Sequence, residues 1–368
     1  MLNQPPLALR YDPSVEELEK DEAETGEALI DTMRKVSETT LAHGGHAIRS
    51  VHAKSHGMVE GELEISEGLE AVLAQGLFAK PGRYPVVMRF STLPGDILDD
   101  SVSTPRGLAV KIIGVEGARL NGSEGDVTQD LVLVNGPAFG APNAKAFLAN
   151  LKLLAATTDK IEGLKKVMSA AMRGMQHLME ATTGHDNATV ATLGGQPETH
   201  ILGETFYSQV PLLYGDYIAK IAVAPATPDL KALTKVPLQV NGIPNALREA
   251  VMGFFARNGG VWEVQVQLCT NLHDMPVENA AKIWDEDKSP YIPVATIRVK
   301  PQSAWSEARS AAVDDGMSFS PWHGLAAHRP LGSIMRVRKQ AYEMGKSFRA
   351  ERNGRMIEEP RQAPSLPN

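Results

Sequence analysis

Arg338 and Tyr342 stand four residues apart in the stretch GSIMRVRKQAYEMGKSFR, residues 332–349, and Arg349 follows seven residues after the tyrosine. The stretch reads as one helix. At 3.6 residues per turn, offsets of four and seven keep all three side chains within one stripe. A guanidinium one turn from a phenol favours the phenolate, because a nearby positive charge stabilises the charged form. A phenolate is a hard anionic ligand suited to ferric iron. The plain alternative is an exposed basic helix with a tyrosine on its apolar edge. Other elements must supply partner groups if the stripe is to do chemistry.

Four of the ten histidines crowd one short span: His43, His46, His52 and His56. His43 and His46 flank a glycine pair and read as cap and loop residues at a helix end. His52 and His56 would share a helical face, but the local pattern is extended, and four residues of strand separate them by about 13 Å. That spacing does not make a joint metal site. His52 by itself stands in Arg49-Ser50-Val51-His52-Ala53-Lys54.

The elements that must position these groups are read from periodicity and punctuation. Ser14 to Leu41 is a polar helix pattern stopped by Gly44-Gly45, its early half acidic enough for the surface or a partner subunit. Ala47 to Lys54 and Gly57 to Ile65 read as extended runs, and Ser66 to Leu77 as helical. YPVVMRFST, RGLAVKII and DLVLVNGP follow as strands. Ala144 to Ala181 is helical, with Met168, Met172, Met175 and Met179 at spacings that suit core packing. Gly194 to Pro197 opens a loop, and residues 225–246, rich in proline and without a period, read as a wrapping loop. Asn245 to Arg257 is a short amphipathic helix. In VWEVQVQLC, Val264, Val266 and Leu268 alternate with Glu263, Gln265 and Gln267, the pattern of a strand with one buried face. IPVATIRVK is the last strand. The sum is an α+β chain with an antiparallel β core. Regular βαβ alternation and glycine-rich phosphate loops are both absent.

Bulk properties narrow the function. With 368 residues there is ample core for one large domain or two ordinary ones. A net charge of -7 argues against a general nucleic-acid binder. The single cysteine, Cys269, excludes an internal disulfide and any multi-cysteine metal site. No secretory pattern opens the chain, and no apolar run approaches the roughly 18 residues of a membrane span. A cytoplasmic location is the expectation.

The motifs taken in order carry a resemblance. Arg49-x-Val51-His52-Ala53-Lys54 resembles the distal-histidine motif of the haem catalase family. Met88-Arg89-Phe90-Ser91-Thr92 resembles its Arg-Phe-Ser-Thr strand, and Thr104-Pro105-Arg106-Gly107-Leu108-Ala109-Val110-Lys111 its Pro-Arg-Gly-Phe-Ala-Val-Lys strand. Asp130-Leu131-Val132, followed by Asn135-Gly136-Pro137, is similar to the strand that ends in the distal asparagine. Tyr291-Ile292-Pro293-Val294 is similar to a Leu-Ile-Pro-Val segment. Arg338-x-x-x-Tyr342 with Arg349 matches the spacing of a proximal arginine, an iron-ligating tyrosine and a propionate-binding arginine. The segments run in family order from Arg49 to Arg349.

That resemblance implies a catalase-like fold: an antiparallel β-barrel core with added helices and a long wrapping loop, lacking the C-terminal domain of larger members. It implies an N-terminal helical arm over residues 1–45, a haem-binding domain over 46–352 and a polar tail over 353–368. The cofactor implied is haem b, with Tyr342 as axial ligand of the iron, the ligation known for catalase. Arg338 would hold the phenolate, and Arg49, Arg89 and Arg349 would neutralise the propionates. His52 would shuttle the peroxide proton, Asn135 would orient the peroxide, Ser91 would fix the imidazole, and Val51 would narrow the approach to the iron. Phe139 and Phe147 are candidates to stack on the macrocycle, and Trp322, His323 and His328 to line its proximal side or simply to pack.

The implied function is that of a haem peroxidase or catalase acting on hydrogen peroxide or organic hydroperoxides, in the minimal-core, catalase-related peroxidase branch. Its partners would be a peroxide and an organic electron donor, without nucleic acid or a membrane span, in a monomer or homo-oligomer. Two alternatives stand beside it. One is a haem isomerase or lyase of fatty-acid hydroperoxides, for which Val51 takes the place of an expected threonine. The other is a haem-binding protein without catalysis, in which the set His52, Asn135, Arg338 and Tyr342 would have no purpose.

Overall fold

A computed structural model describes residues 5–155 and 196–368. Met168, Met172, Met175 and Met179, most of the Ala144–Ala181 helix and Gly194 lie outside the described residues.

The strands are β1 (Ser55–Ile65), β2 (Arg83–Thr92), β3 (Arg106–Ile113), β4 (Thr128–Val134), β5 (Phe206–Tyr207), β6 (Leu212–Tyr214), β7 (Tyr217–Pro225), β8 (Gly260–Leu268) and β9 (Ile292–Val299). Every pairing among them is antiparallel. β9 pairs with β1, and β5 pairs with both β4 and β7, which closes eight strands into a barrel. β6 is added outside β7. This is an α+β architecture, an antiparallel barrel with helices attached. Closure leaves no free edge among the eight strands.

Alternation fills the barrel with side chains rather than a ligand. Met88, Phe90, Leu108, Leu131, Phe206 and Trp262 belong to one buried apolar cluster. β8 alternates as far as Val266, with Val264 and Val266 fully buried and Glu263 and Gln265 partly exposed, but Gln267, expected on the outer face, is buried and donates to the Trp284 and Ser289 carbonyls. β4 sends Leu131 and Leu133 inward, while Val132 and Val134, alternating with them, face outward.

Among the described residues, the longer helices pack outside: α1 (Glu22–Gly44), α2 (Ala144–Ala155), α3 (Ala246–Phe255) and α4 (Ser333–Arg352). Leu29 and Met33 of α1, Leu148 of α2, and Val337, Ala341 and Phe348 of α4 form one apolar cluster. α1 ends where Gly45 takes φ 69° and its N–H reaches the Leu41 carbonyl, a left-handed cap suited to glycine.

Several sequence expectations change. The first helix begins at Glu22 rather than Ser14, because Glu16 is drawn to Arg329 at 2.7 Å and Arg336 at 3.1 Å. Of its acidic early half, Glu22 also pairs with Arg336, at 2.6 Å, while Glu24 and Glu27 are exposed, as expected of a surface. Ser66 to Leu77 is not a helix. Ser66 N–H is bonded to Val294 O, so turns follow until a short 3-10 helix at Gly76–Ala79. Ala47 to Lys54 is not a strand; the chain is irregular until Ser55. Nor is the tail idle, since Ile357 and Leu366 are buried and Glu359 reaches Lys111 on the barrel wall. Residues 225–246 do wrap irregularly, with one helical turn at Pro228–Lys231.

Candidate functional site

A cavity of about 160 Å³ lies between the outward face of β4 and the helical cluster. Val132, Val134, Met33, Phe139 and Leu151 supply apolar wall, and His52, Asn135, Arg338 and Tyr342 supply polar groups. Helix α4 contributes the last two from one turn, as their spacing requires. Arg338 Nη2 donates to Tyr342 Oη at 2.6 Å, with the guanidinium 5.3 Å from the tyrosine ring and 5.7 Å from that of Phe139. A cation thus faces the phenol oxygen, the charge complement that an anionic oxygen ligand requires. Phe139 packs edge-on against Phe147 at 5.0 Å, and both line the cavity.

His52 enters from the irregular segment before β1. Its backbone takes φ 54°, a left-handed conformation rare for a side-chain-bearing residue. Hydrogen bonds hold it there: His52 N–H to Leu93 O at 2.7 Å, and Arg89 Nη2 to His52 O at 2.9 Å. These bonds are the reason the segment is not a strand. Its Nδ1 lies 3.1 Å from Ser91 Oγ. Gly107 of β3 makes room for the ring, since a Cβ there would stand 2.5 Å from both Cε1 and Nδ1. Burial, aided by the positive charges of Arg89, Arg338 and Arg49, pushes the imidazole pKa down to about 3. The ring is therefore neutral at ordinary pH and has a nitrogen able to take a proton.

Asn135 lies at the end of β4. Its Oδ1 accepts from Arg106 N–H at 2.8 Å, and its Nδ2 donates to Glu204 Oε2 at 3.0 Å. One amide hydrogen is engaged by Glu204, and the amide carries a second. Val51 lines the cavity beside His52.

The three arginines expected at propionates do come together, but away from the cavity lining. Arg49 Nη1 and Arg89 Nε donate to Asp314 Oδ1 at 3.2 and 2.6 Å, and Arg349 Nη1 donates to Asp314 O. Arg49 and Arg349 also donate to Met317 O. Arg349 shares the stripe of Arg338 and Tyr342, but seven residues carry it about 10 Å further along the helix, to the segment that bears Asp314. Helical phase alone did not show that offset. Burial and mutual repulsion lower the pKa of Arg49 well below the arginine range, and that of Arg349 to about 10.

Four other histidines among the described residues have protein partners. His56 Nε2 lies 3.2 Å from Thr92 Oγ1, and His46 pairs with Asp315. His328 Nε2 accepts from Leu77 N–H, and His323 faces Asp126 and Glu359. Trp322 Nε1 donates to Met335 O. Cys269 is buried, its thiol pushed up to about 12 by burial. Among the described residues no cluster of His, Cys, Asp and Glu could hold a bare metal ion, and no helix is long and apolar enough to cross a membrane.

Asp314, Glu204 and Met33 had no sequence signal, since each looked like an ordinary polar or helical residue. Gly107 stood inside a quoted motif, yet its close approach to His52 needs the fold to be seen.

Barrel, outer helices and a cavity off the barrel wall define a catalase-like protein in fold. Among solved structures the chain is similar to a fungal catalase, with TM-score 0.59 and 17% identity over 96% of this chain and 67% of that one. It is similar to catalase A from Saccharomyces cerevisiae, with TM-score 0.55 and 18% identity over 95% of this chain and 68% of that one. A bacterial catalase matches with TM-score 0.55 and 15% identity over 95% and 64%. The chain thus spans about two thirds of their length. At these identities the likeness is one of fold. No family model and no curated protein matches the sequence.

Proposed function

We propose that this chain is a haem-dependent peroxidase or catalase that reduces hydrogen peroxide or organic hydroperoxides. One observation carries the reading: Tyr342, faced by Arg338, and His52, held by Ser91, line the same apolar cavity. The groups present suit haem b. An apolar cavity with aromatic walls suits a planar macrocycle, and the Tyr342 phenol oxygen, opposed by the Arg338 guanidinium, would hold its ferric iron. Three guanidiniums around Asp314 leave an excess of positive charge, which complements carboxylates, although their N–H groups already meet protein oxygens.

Bound haem would supply the iron that accepts the Tyr342 oxygen and the electrons that split the peroxide bond. The protein's own groups move the proton. Neutral His52, with Nδ1 directed to Ser91, takes a proton at Nε2 from one peroxide oxygen and returns it to the other, which then leaves as water or alcohol. The second amide hydrogen of Asn135 orients the peroxide without competing for that proton. Val51 narrows the approach.

The test is reconstitution with haem, followed by oxygen release from hydrogen peroxide and oxidation of a phenolic donor with organic peroxides. A Soret band and one of these activities are expected. Tyr342→Phe should lose tight ferric ligation, whereas His52→Ala should keep the Soret band and lose turnover. Absence of a Soret band after loading, or normal turnover in His52→Ala, would overturn the reading.

A further inference from the structure

Asp314 is the anion at the centre of the arginine cluster, and its contacts converge on His52 from two directions. Arg89 is buried in a strand segment that is otherwise apolar, and its guanidinium bridges two targets. Nε donates to Asp314 Oδ1 at 2.6 Å, while Nη2 donates to the carbonyls of His52 at 2.9 Å and Ala53 at 3.1 Å. Arg49, three residues before His52 on the same irregular segment, donates to the same Oδ1 at 3.2 Å and to the Asp314 carbonyl at 2.8 Å. The other carboxylate oxygen accepts from Ser55 Oγ at 2.7 Å and Ser310 Oγ at 2.8 Å. One carboxylate thus fastens both sides of residues 49–53, and His52 sits between the fastenings with φ 54°.

We infer that Asp314 is a positioning residue for His52, acting through Arg89 on its carbonyl and through Arg49 on the segment that leads to it. A left-handed backbone at a side-chain-bearing residue persists only where its surroundings impose it. Without the central anion, the guanidiniums of Arg49, Arg89 and Arg349 face one another with no carboxylate between them. Arg89 then has no reason to stay aimed at the His52 carbonyl, and the imidazole loses its fixed height above Ser91 and Gly107. Asp315 does not replace Asp314, since its carboxylate is turned to His46 at 2.9 Å. The consequence for catalysis rests on the proposed role of His52; the geometric claim does not.

The experiment has one arm that needs no haem. In protein labelled with 15N-histidine, the His52 ring signals are assigned by their disappearance in His52→Gln and then followed in Asp314→Asn. A shift of the Nδ1 signal toward that of a ring without the Ser91 hydrogen bond is expected, and the Asp314→Glu variant should restore it in part. An unchanged signal in a folded Asp314→Asn protein overturns the inference, whatever the haem-loaded protein does. If Asp314→Asn does not fold, Ser310→Ala, which keeps the charge but removes one hydroxyl from it, should shift the same signal by a smaller amount. No shift there overturns the inference as well. The second arm is kinetic. In the haem-loaded protein, Asp314→Asn should lower kcat on the order of 10- to 100-fold, with the KM for the donor little changed, as expected of a misplaced proton-transfer group. In an Arg89→Gln background it should add little further loss, whereas full additivity would mean that Asp314 does not act through Arg89.

Discussion

Ser91 Oγ lies 3.1 Å from His52 Nδ1 across a sequence separation of 39 residues. Ser91 is two residues beyond Arg89 on β2, so both point to the same side of the strand. One grips the imidazole ring and the other the His52 backbone carbonyl. Strand β2 is therefore the holder of the cavity's only histidine ring among the described residues.

Gly107 is directly opposite Ser91 in the β2–β3 register. In Gly107→Ala the new methyl would stand 2.5 Å from two ring atoms of His52 and push the imidazole away from Ser91. Peroxide turnover by the haem-loaded protein should fall on the order of 100-fold, the penalty for an ångström-scale misplacement. Circular dichroism and the Soret band should be retained. Undiminished turnover would show that His52 does not work from this position.

The pH dependence follows from burial. Because His52 keeps its neutral form down to about pH 3, the initial rate of peroxide consumption should not titrate away near pH 6.5. Stability behaves differently. His52 titrates near 3 in the folded protein and near 6.5 when unfolded, so the unfolded chain binds the extra proton between those values. The resulting stability is present above pH 6.5 and is lost as pH falls toward 3. His200, His323 and His328, held near 4 chiefly by burial, add the same sign. Each contributes up to about 1.4 kcal/mol per pH unit within its window. Urea midpoints at pH 7, 5.5 and 4.5 should fall steadily, and His328→Gln should flatten that slope if the mutant packs normally. A flat midpoint across this range would contradict the buried neutral histidines.

The C-terminal segment is held by an ion cluster that water hardly reaches. Lys111 Nζ lies 2.6 Å from Asp130 and 2.5 Å from Glu359, all three side chains being at most 5% exposed. Lys111→Met would leave two buried carboxylates without their cation, a loss of about 3–5 kcal/mol. By contrast, Arg83→Ala breaks an exposed, water-screened pair with Glu64 and should leave the melt nearly unchanged. Denaturant melts compare the two, and limited proteolysis of Lys111→Met should release residues beyond 353. Equal melts for the two variants would mean that the cluster does not hold the tail.

Local pattern carried much of this protein. The alternation in β8, the β2–β4 run and the four-residue step from Arg338 to Tyr342 are properties of neighbours in sequence, so periodicity exposes them directly. The ordered motifs from Arg49 to Arg349 pointed to the catalase-like barrel that the strand pairings form. Tertiary structure decided what distant groups do to one another. It closed the barrel through the two-residue β5 and ended the extended reading of 47–54 with a left-handed His52. It also aimed Arg49, Arg89 and Arg349 at Asp314 and drew Glu359 back onto Lys111. A charge in sequence states only its sign; its partner is whichever opposite charge the fold buries beside it, and burial makes that pairing obligatory. Sequence thus chose the elements, the stripe bearing Tyr342 and the arginine that meets its phenol, while packing chose the aspartate that Arg349 meets.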